Sequence, residues 1–109
     1  MKHVIDIQTT AQTDTALIAD PGDGRKIVIY GAHFGAGGAN SWIIEHGTTT
    51  LCKAFVQTQS AHSQIGPFGD GPEHVLWEAP ASTAVTYTTT AAPDQVIEVW
   101  YDVVTSGTQ

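Results

Sequence analysis

The chain has 109 residues, which is enough for one domain with its own apolar core, and a single domain over 1–109 is predicted. Four Lys and Arg against eleven Asp and Glu give a formal charge of −7, which argues against nucleic-acid and anionic-membrane partners because both need clustered basic side chains. The lone Cys52 excludes an internal disulfide and is expected to be a small buried residue.

The N-terminal residues MKHVIDIQ lack the apolar stretch of a secretory leader, and no run in the chain is long enough for a membrane span. Synthesis in the cytoplasm is therefore expected. Only 14% of the residues are charged, whereas about a quarter is usual. Threonine is frequent instead, notably at Thr48–Thr50 and Thr88–Thr90. Because β surfaces of this kind associate unless partners cover them, an oligomer or an assembly component is expected.

Residues 1–20 are predicted to form an edge strand or an arm that reaches a neighbouring molecule. Their first part alternates, with His3, Ile5 and Ile7 on one side and Val4, Asp6 and Gln8 on the other. A polar loop over 9–14 and a short apolar strand over 16–18 follow. That strand ends at Asp20-Pro21-Gly22, where proline and glycine favour a turn.

The segment 25–34 is apolar on both sides and predicts a central strand that is covered on both faces. Strict alternation places Ile27 and Ile29 on one face and Val28, Tyr30 and Phe34 on the other. Glycines at 35, 37 and 38 end this strand. Residues 42–55 predict a β-hairpin, because Gly47 can take the positive φ that a short turn requires.

The second half of the chain predicts a long loop and three further strands. Residues 57–72 are polar and rich in Gly and Pro, which is typical of a long loop or a loosely paired excursion. Strands are predicted over 73–77, 85–89 and 96–104, and the last alternates most clearly, with Ile97, Val99, Tyr101 and Val103 facing one way. Residues 105–109 are expected to be a solvent-exposed tail.

About eight short strands at intervals near ten residues, without a helical pattern, predict an all-β protein. The expected architecture is a single compact antiparallel β-sandwich that is jelly-roll-like. No internal repeat and no second domain is detected.

No catalytic residue, metal ligand or cofactor site is predicted. The five histidines show neither the HxH nor the HxxxH spacing that places two imidazoles together, so surface or interface histidines are expected. The glycines at 35–38 lack the Lys-Ser/Thr of a phosphate loop. The glutamates lie on different strands, and the aspartates at 20, 23 and 70 are explained by turn chemistry, although a calcium ion is conceivable there.

The large aromatic residues allow two interpretations: packing on a sheet face, or contact with a partner. For the second, the predicted partner interface combines apolar, aromatic and imidazole side chains of the N-terminal strand, the long loop and two later strands. Its members are His3, Val4, Ile5, Ile7, His62, Ile65, Phe68, Trp77 and Trp100.

A family resemblance rests on the order of several short motifs. RKIVIYG is followed by a Gly/Ala loop, a strand ending in HGTTTL, a loop with GPFG and a closing IEVWYDVV. Over about residues 23–104 this order resembles small β-sandwich (jelly-roll or Ig-like) structural proteins of tailed bacteriophage virions. The resemblance implies a capsid decoration or cement protein without catalytic residues. It further implies a homotrimer on the capsid surface whose partners are the major capsid protein or other virion subunits.

The arm 1–20 and the loop 57–72 depart from that pattern and leave the head or tail location open. Two alternatives remain. One is a phage tail or fibre module that binds host glycans through exposed Trp and Tyr. The other is an enzyme of the cupin-like metalloenzyme or glycosidase type.

Overall fold

A computed structural model describes residues 1–56, 61–91 and 94–106. Within these residues the chain forms nine β-strands and one 3-10 turn, Pro72–His74. The strands are β1 (Lys2–Gln8), β2 (Thr15–Ile18), β3 (Arg25–Ala36), β4 (Asn40–His46), β5 (Thr49–Val56), β6 (Ala61–Ile65), β7 (Trp77–Glu78), β8 (Val85–Thr89) and β9 (Gln95–Thr105). No helix long and apolar enough to cross a membrane occurs in these ranges.

The strands form two antiparallel sheets packed face to face. Sheet A has the order β1-β9-β3-β6, and the short β7 pairs with β3 beside β6; sheet B has the order β2-β8-β4-β5. The pairs β1–β9, β2–β8, β3–β6 and β4–β5 are nested around the β4–β5 hairpin, as in a long antiparallel hairpin rolled into two sheets. This is the jelly-roll arrangement. The predicted all-β antiparallel sandwich is therefore confirmed.

The core lies between the sheets and is built from alternate residues of the inner strands. On β9 the predicted alternation holds, since Ile97 and Val99 are buried there. Trp42 on β4 is the largest fully buried side chain and packs against Phe34, with ring centroids 5.5 Å apart. Its Nε1–H has no hydrogen-bond partner within the described residues, so apolar packing holds this indole.

Strand β3 is buried on both faces, as its composition indicated. Val28 and Tyr30 face away from the core yet are covered. The segment after the 3-10 turn passes over this edge, where the Leu76 amide donates to the Ile29 carbonyl at 2.9 Å and that of Ala79 to Ile27 at 3.0 Å. The alternation is interrupted by a bulge between Ile29 and Gly31.

The structure refines two predictions for the middle of the chain, of which the first was wrong in detail. The strand expected over 73–77 is mostly a 3-10 turn, because Gly71 at φ 103° and Pro72 start a turn, and only Trp77–Glu78 pair with β3. The segment 57–72, expected as a long loop or a loosely paired excursion, contains strand β6, which pairs with the second half of β3. Residues 57–60 of that loop lie outside the described residues.

Candidate functional site: a histidine–glutamate row on sheet A

Strand alternation turns one set of side chains of sheet A outward. The register aligns His3 of β1 with Trp100 of β9, and Glu98 of β9 with His33 of β3. His62 of β6 is aligned with Gly35 of β3. Four neighbouring strands thus bring three imidazoles and one carboxylate to the same face.

These side chains form a continuous hydrogen-bonded line, called the His–Glu row below. His3 Nε2 lies 2.9 Å from Glu98 Oε2, and His33 Nδ1 lies 2.8 Å from Glu98 Oε1. On its other side, His33 Nε2 lies 3.0 Å from Nδ1 of His62. All three distances fall within the normal range of hydrogen bonds.

The carboxylate determines which nitrogens carry protons. An ionised Glu98 can only accept, so the facing nitrogens of His3 and His33 donate to it. A neutral His33 then keeps a lone pair on Nε2, which accepts from the Nδ1–H of His62. The hydrogen bond from His33 lowers the pKa of Glu98 and outweighs the opposing effect of partial burial, and His3 adds to the lowering.

The rings of His33 and His62 meet edge to edge. Their planes are within 13° of parallel, and the centroid separation of 5.2 Å is about the N···N distance plus the two ring radii. His62 lies over Gly35, where an added Cβ would come within 3.1 Å of its Nδ1. The missing side chain at this position therefore makes room for the imidazole. At the other end of the row, the His3 ring stacks on Trp100 with centroids 5.0 Å apart.

An apolar surface adjoins the row. Ile5 and Ile7 of β1 are 51% and 68% exposed on the same face, opposite Glu98 and Val96 respectively. Beside His62 runs an open groove of about 360 Å³, lined by residues that include Ile7, Gly35, His62, Asp94 and Val96. The outer face of sheet A therefore combines large exposed aliphatic side chains with a proton-binding row.

The row is a line on an open face. Among the described residues, no three His, Cys, Asp or Glu side chains converge on a point that could hold a metal ion. The imidazoles are the proton-binding groups of this row, because a neutral imidazole has one unprotonated ring nitrogen.

Five of the nine residues predicted for a partner interface lie together on this face: His3, Ile5, Ile7, His62 and Trp100. Phe68 is exposed on the loop after β6, and Ile65 is partly exposed at the end of that strand. Val4 and Trp77 instead pack against the core.

Sequence reasoning missed His33 and Glu98 as members of the site. The alternation of β9 already placed Glu98 outside the core. For His33 no signal was available, because strict alternation would place it on the same face as Ile27 and Ile29. The bulge in β3 changes which residues face the core beyond it. Phe34 therefore shares the core with Ile27 and Ile29, and His33 turns outward.

Comparisons with protein-family models, with curated proteins and with solved structures found no match to this chain.

Proposed function

We propose that this chain is a non-enzymatic structural protein of a tailed-bacteriophage virion, a capsid decoration or cement protein that acts as a homotrimer on the capsid surface. It would be made in the host cytoplasm and would stabilise the head through contacts with the major capsid protein or other virion subunits. The outer face of sheet A is the surface proposed for contact between copies. The observation that carries the proposal is the exposure of Ile5 and Ile7 beside the His–Glu row.

Two aliphatic side chains on one strand face are a strong reason for association. Burial of an exposed Ile contributes about 1.5–3 kcal/mol in the fully buried limit, so covering both residues favours a stable contact. Strand β1 also pairs only with β9 among the described strands, so its other backbone edge is available to a strand from another molecule. The low charge content of the chain supports the same interpretation.

The first test is the oligomeric state, measured by size-exclusion chromatography with light scattering. The native chain is expected to elute as a trimer, and the double substitution I5K/I7K is expected to shift it to the monomer. The control is Phe55→Lys, which introduces one lysine at a 61% exposed aromatic residue on the outer face of sheet B. A native chain that stays monomeric, or a control that dissociates as readily, would contradict the proposed surface.

The second test is binding to phage heads from which this protein has been removed. Co-sedimentation of the purified chain with such heads, at a fixed number of copies per capsomer, is the expected result. Failure to bind heads, together with a saturable change in tryptophan fluorescence on adding host-surface polysaccharide, would favour the glycan-binding alternative. Trp100 would report such binding because it lies on the outer face of sheet A.

A further inference from the structure

The His33–His62 contact can hold only one shared proton. With both rings neutral, the Nδ1–H of His62 donates to Nε2 of His33 across 3.0 Å. With one added proton, His33 becomes an imidazolium that donates to Glu98 on one side and to His62 on the other, and no contact is lost. With a second added proton, two N–H groups on two cations face each other, and the contact must break.

Apart from Glu98, no ionisable group among the described residues forms a hydrogen bond or ion pair with the His33–His62 pair. The groups on the face are His3 from β1, Glu98 from β9, and the two imidazoles themselves from β3 and β6. Asp94 lines the groove beside His62, and Asp102, farther along β9, lies 3.5 Å from the N-terminal amine. Within the part of the chain that the structure describes, no Lys or Arg forms an ion pair with the row. Among these residues Glu98 is the one carboxylate that is hydrogen-bonded within the row, and its two oxygens already accept from His3 and His33.

His62 is the ring that has to move. His33 is anchored by Glu98, and its side chain is only 17% exposed. His62 is exposed on β6, at the end of sheet A, and the one side-chain hydrogen bond of its ring among the described residues is the contact to His33. When it leaves, the space over Gly35 and one wall of the groove are vacated.

We infer that the His–Glu row is a proton-operated switch that weakens association through the outer face of sheet A at mildly acid pH. The row carries one negative charge when its three imidazoles are neutral and two positive charges once all three are protonated. If two copies meet through this face, both gain positive charge together and repel each other. The inference rests on the proposed function in that the outer face of sheet A is the contact surface.

The test has two independent arms, both run in EDTA to remove adventitious metal. The first follows the imidazole nitrogens of ¹⁵N-histidine-labelled protein by NMR from about pH 7.5 to about pH 5.0, the range in which histidines change charge. At the upper pH, His33 is expected as the Nδ1–H tautomer with a hydrogen-bonded Nε2. The proton uptake of the pair is expected in two separate steps, with loss of the His33–His62 contact at the second.

The second arm measures the dissociation constant of the oligomer at the same two pH values. The dissociation constant of the native chain is expected to be about tenfold higher at the lower pH. A tenfold change is the effect on an equilibrium constant of an interaction that shifts one pKa by one unit. His62→Gln keeps a neutral group beside His33 at every pH and is expected to lose most of this dependence. The matched control is His46→Gln, at the end of β4 in sheet B, which is expected to retain it.

The two arms separate failure of the switch from failure of the proposed function. A monomer at every pH that still shows the two-step uptake refutes the contact surface and supports the proton-operated contact. An oligomer whose dissociation constant is unchanged by pH, or equally pH-dependent in His62→Gln, overturns the switch and supports the surface. Uptake of both protons with the contact intact also overturns it.

Discussion

The phenol of Tyr87, on β8 of sheet B, donates a hydrogen bond of 2.5 Å to the carboxylate of Asp6, on β1 of sheet A. This bond crosses from one sheet to the other and ties the edge strand to the core. Tyr87 is almost fully buried, while Asp6 is half-buried and also accepts a hydrogen bond of 3.1 Å from the side-chain amide of Gln8. Burial raises the pKa of Tyr87, and the carboxylate of Asp6 raises it further.

Tyr87→Phe is expected to lower the free energy of unfolding by about 2 kcal/mol, because it removes a hydrogen bond to a charged group at a buried position. Urea unfolding at neutral pH measures the change. The control is Tyr101→Phe, on β9, since the Tyr101 hydroxyl has no hydrogen bond among the described residues and its loss is expected to be close to neutral. Equal effects of the two substitutions would show that the tie between sheets is not important for stability.

Stability is also expected to fall at alkaline pH because of Tyr87. Its pKa is raised in the folded protein, so above the unfolded value of about 10 the unfolded state ionises while the folded state keeps its proton. The stabilisation is fully present below that value and declines above it. Unfolding measured from pH 8 to pH 11 checks this, and Tyr87→Phe is expected to lose this part of the pH dependence. An unchanged slope in the variant would contradict the assignment.

Glu98→Gln is expected to reduce stability by about 1 kcal/mol at neutral pH, since the partly exposed carboxylate accepts two hydrogen bonds but is screened by water. The pKa of Glu98 is lowered in the folded protein, so its contribution is present above the unfolded value of about 4.3 and is lost as pH falls through the folded value. The difference between native chain and variant should therefore vanish in acid.

The control for this carboxylate is Glu73→Gln, in the exposed 3-10 turn, which is expected to change stability little at any pH. A constant difference between the native chain and Glu98→Gln down to about pH 2 would rule out the ionised Glu98 as the stabilising form.

Cys52 is expected to resist thiol reagents in the folded protein. It is buried on β5, and burial raises the pKa of its thiol, so the reactive thiolate is both scarce and shielded. Reaction with Ellman's reagent at neutral pH should be slow and should accelerate when urea unfolds the chain. Immediate stoichiometric labelling without denaturant would contradict the packing of β5 against the core.

Gly31→Ala is expected to destabilise the fold by about 3 kcal/mol, because the added Cβ would overlap the backbone of Gly66 and Pro67 and approach the Ile65 carbonyl oxygen to 2.9 Å. Thermal or urea unfolding measures the loss. Gly37→Ala is the matched control, since its Cβ would meet Asp94 only at ordinary contact distances from 3.7 Å upward, and its effect should stay within about 0.5 kcal/mol. Similar stability of the two variants would show that the loop after β6 moves freely away from β3.

The fold was largely predictable because local patterns determine most of it. Alternation specified the burial of Ile97 and Val99, and Gly47, with φ 57°, closed the expected hairpin. The site was only partly predictable. Its residues are numbered 3, 33, 62 and 98, so no spacing in the sequence joins them, and only the pairing of four strands does. The bulge between Ile29 and Gly31 then decides that His33 faces outward.

The nested pairing of strands has a consequence for how the row comes into existence during folding. Partners in the β4–β5 hairpin are neighbours along the chain, whereas β1 and β9 come from its two ends. Pairings between distant segments close the largest loops and form at the greatest entropic cost. His3 can contact Glu98 only after β1 has paired with β9. A complete row therefore indicates that the chain has finished folding.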